Sequence, residues 1–135
     1  MKKISHLIQF IFIVILFFIF RIIGYRAASN LGNLIGKTIG PIFRSKKSIV
    51  KNLKKANLDN NLDLDKLANN ILGNYGRIFA EYVHLKNFRN NNLNKYISID
   101  GYKYLDQIKK SKKKNVFVSG HFNNFELMAM QIEKS

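Results

Sequence analysis

The amino-terminal 26 residues contain the longest apolar segment of the chain. Residues 7–20 carry no charge and are apolar except for Gln9, and the stretch from Ile4 has the roughly 20 residues that cross a hydrocarbon core of about 30 Å as a helix. A cleaved signal peptide is the alternative, but its apolar region usually has about 7 to 15 residues. We therefore predict an uncleaved membrane anchor over residues 1–26, transmembrane or lying in the interface.

Helical spacing of apolar positions continues through the middle of the chain. Residues 24–40 form a glycine-punctuated amphipathic stretch that ends at Pro41, and residues 44–56 form a basic helix with Ile49, Val50 and Leu53 as its apolar stripe. Residues 57–63 are polar and turn-like. A longer amphipathic helix then covers residues 64–83, with Asp63 as its cap.

In the last third of the chain, the pattern of apolar residues predicts shorter elements. Residues 96–100 alternate like a strand, Gly101 interrupts them, and residues 102–111 have the pattern of a short helix. Residues 116–118 are β-branched and aromatic and indicate a second strand. Ser119 and Gly120 then turn into a helix that begins near Phe125. This order predicts a β-α-β unit with parallel strands, and therefore an α/β fold.

The sequence predicts an incomplete domain. Two strands do not make an independent parallel sheet, which needs helices on both faces and usually more strands. The chain stops at Ser135, soon after the second predicted strand. We therefore interpret residues 27–135 as the amino-terminal part of a truncated α/β domain, so this chain alone need not be a competent enzyme.

His121 and Glu126 are the candidate catalytic residues. Within one helix, side chains five positions apart point about 140° away from each other. With His121 on the turn and Glu126 in the first turn of the helix, the two side chains can instead meet within hydrogen-bonding distance. That arrangement suits a general base and the carboxylate that orients it. On composition alone, a structural histidine at a strand end and a first-turn glutamate favoured by the helix dipole would be the commoner interpretation.

The segment that carries these residues resembles a known family signature. Residues 120–126 read G-H-F-N-N-F-E, similar to the G-H-F-G-N-W-E of the membrane-bound lauroyl and myristoyl transferases that complete lipid A. Gly120 and Asn124 match, whereas Asn123 replaces the usual glycine and Phe125 the usual tryptophan. If that glycine adopts a left-handed conformation, asparagine is among the next most tolerated residues. Glu81, late in the long predicted helix, is also placed as that family would place it.

The resemblance implies acyl transfer. In that family the histidine deprotonates a hydroxyl of the acceptor, which attacks the thioester of an acyl carrier protein, while the acidic residue holds and polarises the imidazole. It implies no metal or redox cofactor, and the chain has no cysteine for a thiol nucleophile. The acceptor would be an anionic glycolipid, the lipid A precursor. The sequence leaves the acceptor-binding and oxyanion-hole residues unknown.

The formal net charge of +15 favours anionic partners. The nearest candidates are membrane lipid, the phosphorylated glycolipid and the acidic carrier protein. Nucleic acid is disfavoured because the basic residues are dispersed and no recognition motif accompanies them. Lysine and arginine are more numerous after the anchor than before it, which places the remainder on the cytoplasmic face of a bacterial inner membrane.

Two alternatives remain at the level of sequence. A related acyltransferase could act on another glycolipid or on a phospholipid with the same chemistry. A non-catalytic protein of the membrane surface could bind anionic lipid through its basic helices and use His121 structurally.

Overall fold

The computed structural model describes residues 2–56, 62–111, 113–120 and 123–134. The chain divides into two compact units, residues 1–84 and 85–135. The α-helices of the described residues are α1 (Lys2–Ile23), α2 (Tyr25–Phe43), α3 (Lys46–Lys55), α4 (Leu64–Glu81), α5 (Leu85–Arg89), α6 (Tyr102–Ser111) and α7 (Phe125–Lys134). Short 3₁₀ helices cover Tyr82–His84 and Asn94–Tyr96.

The predicted α/β fold is wrong. The described residues are mainly helical and include no strand, so they contain no β-α-β unit. Residues 97–99 and 116–118 are extended or irregular, and the side chains of Val116 and Val118 are 89% and 92% exposed. A strand forms only when a neighbouring segment completes its ladder of hydrogen bonds, and no such ladder joins the described parts of these two segments. The apolar pattern alone could not show whether a pairing partner was present.

The helices were predicted more accurately. Asp63 caps α4, because its carboxylate accepts a hydrogen bond of 2.9 Å from the backbone N–H of Lys66. Helix α6 covers the predicted residues, and α3 and α7 lie where the apolar spacing placed them. Helix α2 runs through Pro41 to Phe43 instead of ending at the proline. The predicted turn over residues 57–63 falls largely outside the described residues.

Close packing of α2 on α4 organises the first unit. Gly32 and Gly36 of α2 face Gly73 and Gly76 of α4, and a methyl group added at Gly32 would collide with the carbonyl oxygen of Gly76. Small residues spaced four apart let two helix backbones approach closely. The crossing therefore depends on the absence of side chains at these positions.

Two apolar clusters flank this crossing. Phe20, Ala28 and Ala80 form the first, and Leu16, Phe17, Leu31, Ile35 and Val83 pack against it. Ile49 of α3, with Ala68 and Leu72 of α4, forms the second, against which Val50, Leu53 and Ile71 pack. The predicted apolar stripe of α3 therefore faces α4.

Most of α1 presents its apolar side chains outward. Residues Ile4–Ile23 have a mean hydropathy of 2.6, and only 6% of the most apolar window is buried. The length and composition are sufficient for a helix that crosses a membrane, and a signal sequence at the same place would also meet them. The predicted boundary at residue 26 remains a prediction.

In the second unit, α5 and α7 are joined by polar contacts. The ammonium of Lys134 donates to the carbonyl oxygen of Phe88 and to Oδ1 of Asn91, each at 2.7 Å. Arg89 and Glu133 form an exposed ion pair of 3.1 Å. Exposed ion pairs contribute little stability, so the partly buried contacts to Phe88 and the packing of α7 through Met130 matter more.

Candidate functional site

The segment that leads into α7 contains the residues predicted to carry the chemistry. Gly120 is half-buried, and residues 113–119 before it are exposed and belong to no helix or strand. His121, the predicted general base, and Phe122 lie outside the described residues. The chain is described again from Asn123, and α7 begins two residues later at Phe125.

Asn123 has the backbone conformation that the family glycine would favour. Its φ is 46°, in the left-handed region, which glycine enters freely and which asparagine tolerates better than most other residues. The replacement of glycine by asparagine at this position is thereby explained. Asn123 and Asn124 form a bend, and α7 begins directly after it at Phe125.

Asn124 precedes α7 and starts its first turn. The backbone N–H of Leu127 donates to the carbonyl oxygen of Asn124 at 3.1 Å. The remaining backbone N–H groups at the start of a helix give this end a partial positive charge. An anion or a developing oxyanion is stabilised at such an end.

Glu126 lies in this first turn of α7. Its side chain is half-buried, and its Oε2 atom is shielded from solvent. Met130, one turn further along the same face, is buried. The carboxylate is therefore held at the positive end of the helix and on the inner side of α7, which suits a residue that orients another group.

An apolar groove of about 590 Å³ lies on the other side of α7. Its lining includes Leu127, Met128 and Ile132 of α7, Leu105 and Ile108 of α6, and Phe117. Glu126 is not part of this lining, because it lies on the opposite face of the helix. The groove alone therefore does not explain a site at Glu126.

Glu81, the other acidic residue at a family position, lies in a buried polar cluster of the first unit. The hydroxyl of Ser29 donates to Oε1 of Glu81 at 2.8 Å, and Arg77 donates to Ser29 at 3.4 Å. His84 is also buried, with its Nε2 atom 3.1 Å from the carbonyl oxygen of Phe20. These contacts give Glu81, Arg77 and His84 partners within the first unit.

The glycine spacing of α2 indicates the close packing around this cluster, which the amphipathic pattern alone does not predict. Gly32, Gly36 and Gly40 recur every fourth residue after Ala28. That spacing places small side chains on one face of a helix. In the structure these glycines form a packing face and do not merely punctuate an amphipathic stretch.

Among the described residues, no three side chains of histidine, cysteine, aspartate or glutamate are grouped closely enough to hold a metal ion. The predicted pair would act through a histidine and a carboxylate. The part of it that is described is Glu126, at the start of α7.

Comparison with known proteins supplies the family. Neither the curated proteins nor the solved structures include a match to this sequence. The family model described as bacterial lipid A biosynthesis acyltransferase matches residues 1–135, the whole of the chain. This match extends well beyond the seven residues of the signature. The chain belongs to the bacterial lipid A biosynthesis acyltransferase family, and it is an acyltransferase.

Proposed function

We propose that the protein transfers a fatty acyl chain from the thioester of an acyl carrier protein to a hydroxyl of a lipid A precursor. His121 is the general base and Glu126 orients it. The family match supports the acyl transfer. The donor, the acceptor and the two catalytic roles are the further steps of this proposal.

One base is sufficient for both proton transfers of this reaction. The imidazole of His121 takes the proton of the acceptor hydroxyl as its oxygen attacks the thioester carbonyl. The carbon–sulfur bond of the tetrahedral intermediate then breaks, and the leaving thiolate takes the proton back from the imidazolium. The products are the acyl ester and the free thiol of the carrier. Glu126 stabilises the imidazolium between these two steps.

The left-handed conformation of Asn123 is the observation that carries the assignment of the site. It explains why glycine or asparagine stands two residues after the histidine. Helix α7 begins two residues later, with Glu126 in its first turn. Backbone N–H groups of that turn are the candidate donors to the oxyanion.

We place the reaction at the cytoplasmic face of the bacterial inner membrane. Helix α1 is long and apolar enough to anchor the protein, and the lysines and arginines that follow it favour the cytoplasmic side. The chain has 23 basic and 8 acidic residues. The resulting positive charge would attract the phosphates of the acceptor and the acidic carrier protein.

A donor and acceptor panel tests the proposed substrates. The protein in detergent or nanodiscs is incubated with acyl carrier thioester and with a lipid A precursor, a different glycolipid or a phospholipid, and the products are identified by mass. We expect one added acyl group on the lipid A precursor. Acylation of only the other glycolipid or the phospholipid would overturn the proposed acceptor and favour the related acyltransferase.

A further inference from the structure

Helix α3 presents a lysine-rich surface that the catalytic proposal does not use. Its lysines line a shallow groove together with Val50 and Asp65, and they are Lys46, Lys47, Lys51, Lys54 and Lys55. Lys46 is engaged with Asp65 at 3.5 Å. Among the described residues, the other four lysines form no ion pair with a carboxylate.

The spacing of these lysines gives them a common direction. At about 100° per residue, Lys47, Lys51, Lys54 and Lys55 fall within one sector of roughly 100°. The apolar stripe of the same helix packs on α4. The lysine sector is therefore turned away from the core, and all four side chains are exposed.

Apolar side chains accompany this charge. Ile42 and Phe43 at the end of α2 are 80% and 86% exposed, and only Arg44 and Ser45 separate them from α3. A solvated basic face does not require two large exposed apolar residues beside it. Apolar side chains next to lysines are typical of segments that insert shallowly into an anionic lipid surface.

We propose that this docking surface, composed of Ile42, Phe43, Lys47, Lys51, Lys54 and Lys55, binds the headgroup layer of an anionic phospholipid membrane. The lysines pair with lipid phosphates while Ile42 and Phe43 enter the layer beneath them. Anchoring through α1 keeps the surface close to a bilayer. The proposal does not depend on the identity of the acyl acceptor.

The absence of cysteine from the chain allows a clean site-specific test. Ser45 is exposed and its side chain makes no capping hydrogen bond, so Ser45→Cys can carry an environment-sensitive fluorophore. The labelled full chain is placed in nanodiscs of phosphatidylcholine alone or with phosphatidylglycerol. Blue-shifted emission and quenching by nitroxide-labelled lipid report docking. Because α1 holds the protein in both discs, the readout is specific to the surface near α3.

We expect docking in the discs that contain phosphatidylglycerol and loss of docking in 0.5 M salt. The triple variant K47Q/K51Q/K54Q should lower the ratio of docked to undocked protein roughly 100-fold, since each lysine near the surface contributes about fivefold. The matched control K109Q/K110Q/K113Q removes the same charge from other exposed lysines and should change the ratio less than threefold. Circular dichroism verifies that each variant keeps its helical content.

A second pair of variants tests the apolar part. I42S/F43S should reduce quenching by nitroxide placed at the boundary between headgroups and acyl chains while leaving the salt dependence in place. Equal emission in both kinds of disc, or equal effects of the two triple variants, would overturn the proposal. So would a probe that responds to a soluble acidic protein or to free glycerophosphate but not to anionic lipid.

Discussion

At the scale of single residues, Asn123 shows how one backbone angle explains a departure from a family signature. Its positive φ is the conformation in which glycine and asparagine are interchangeable. The resemblance predicts that asparagine is tolerated here if the residue is left-handed, and the structure shows that conformation. The backbone angle therefore explains why asparagine can stand where the signature has glycine.

This angle predicts the outcome of two substitutions. Asn123→Gly should leave acyl transfer and thermal stability nearly unchanged, because glycine enters the left-handed region freely. Asn123→Val should destabilise the turn by about 1 to 2 kcal/mol, because a β-branched side chain clashes there. The measurement is thermal unfolding in detergent, followed by circular dichroism, together with the rate of acyl transfer. Equal stability of the glycine and valine variants would contradict the assigned conformation.

Ser29 gives a second prediction at this scale. Ser29→Ala removes a buried hydroxyl that donates to Glu81 at 2.8 Å, and the loss should cost about 1 to 3 kcal/mol of unfolding free energy. Thr38→Ala is the matched control, because the exposed Thr38 hydroxyl donates to the carbonyl oxygens of Leu34 and Ile35 in its own helix. We expect its effect to be within about 0.5 kcal/mol. Similar losses in both variants would show that the Ser29–Glu81 bond is not special.

At the scale of secondary structure, the crossing of α2 and α4 is the feature most sensitive to side-chain size. Gly32, Gly36, Gly73 and Gly76 bring the two backbones together. Large side chains occupy the clusters on either side, where Phe20 and Leu72 are buried. The first unit is thus fixed by small residues at its centre and by large residues around them.

The crossing predicts a reversal of the usual effect of alanine. In most helix interiors, alanine is more favourable than glycine by about 0.5 to 1 kcal/mol. Gly76→Ala should instead destabilise the protein by about 1 to 3 kcal/mol, because the new methyl group meets the carbonyl oxygen of Gly32. Asn70→Ala, at an exposed position of α4, should be neutral or stabilising. Stabilisation by Gly76→Ala in the same unfolding assay would show that the helices are further apart.

At the scale of the whole molecule, patterns within one segment of the sequence predicted the helices, whereas contacts between distant segments could not be predicted. Helices α3, α4, α6 and α7 follow from apolar spacing and caps, because their hydrogen bonds close within the segment itself. The two predicted strands were wrong, because a strand depends on a partner that a short apolar run such as residues 116–118 does not identify. The buried Ser29–Glu81 contact joins residues 52 positions apart, which periodicity cannot show.

The candidate site was predicted from the local pattern together with a family signature. The apolar pattern placed Glu126 at the start of a helix, and the structure confirms that position, whereas the catalytic roles of His121 and Glu126 come from the resemblance. The distance between His121 and Glu126 stays a prediction, since His121 is outside the described residues. The family match covers the whole chain, so the acyltransferase assignment is independent of this distance.

Acyl transfer by the His121→Ala variant is the most direct test of the central claim. The rate of transfer from acyl carrier thioester to the lipid A precursor is compared between the wild-type protein, His121→Ala and the control His6→Ala in the same nanodiscs. We predict a loss of about 100-fold to 10,000-fold in kcat/KM for His121→Ala, as expected for a general base. Membrane association and helical content should not change, and His6→Ala should keep wild-type activity. Undiminished turnover by His121→Ala would contradict the assignment of His121 as the base.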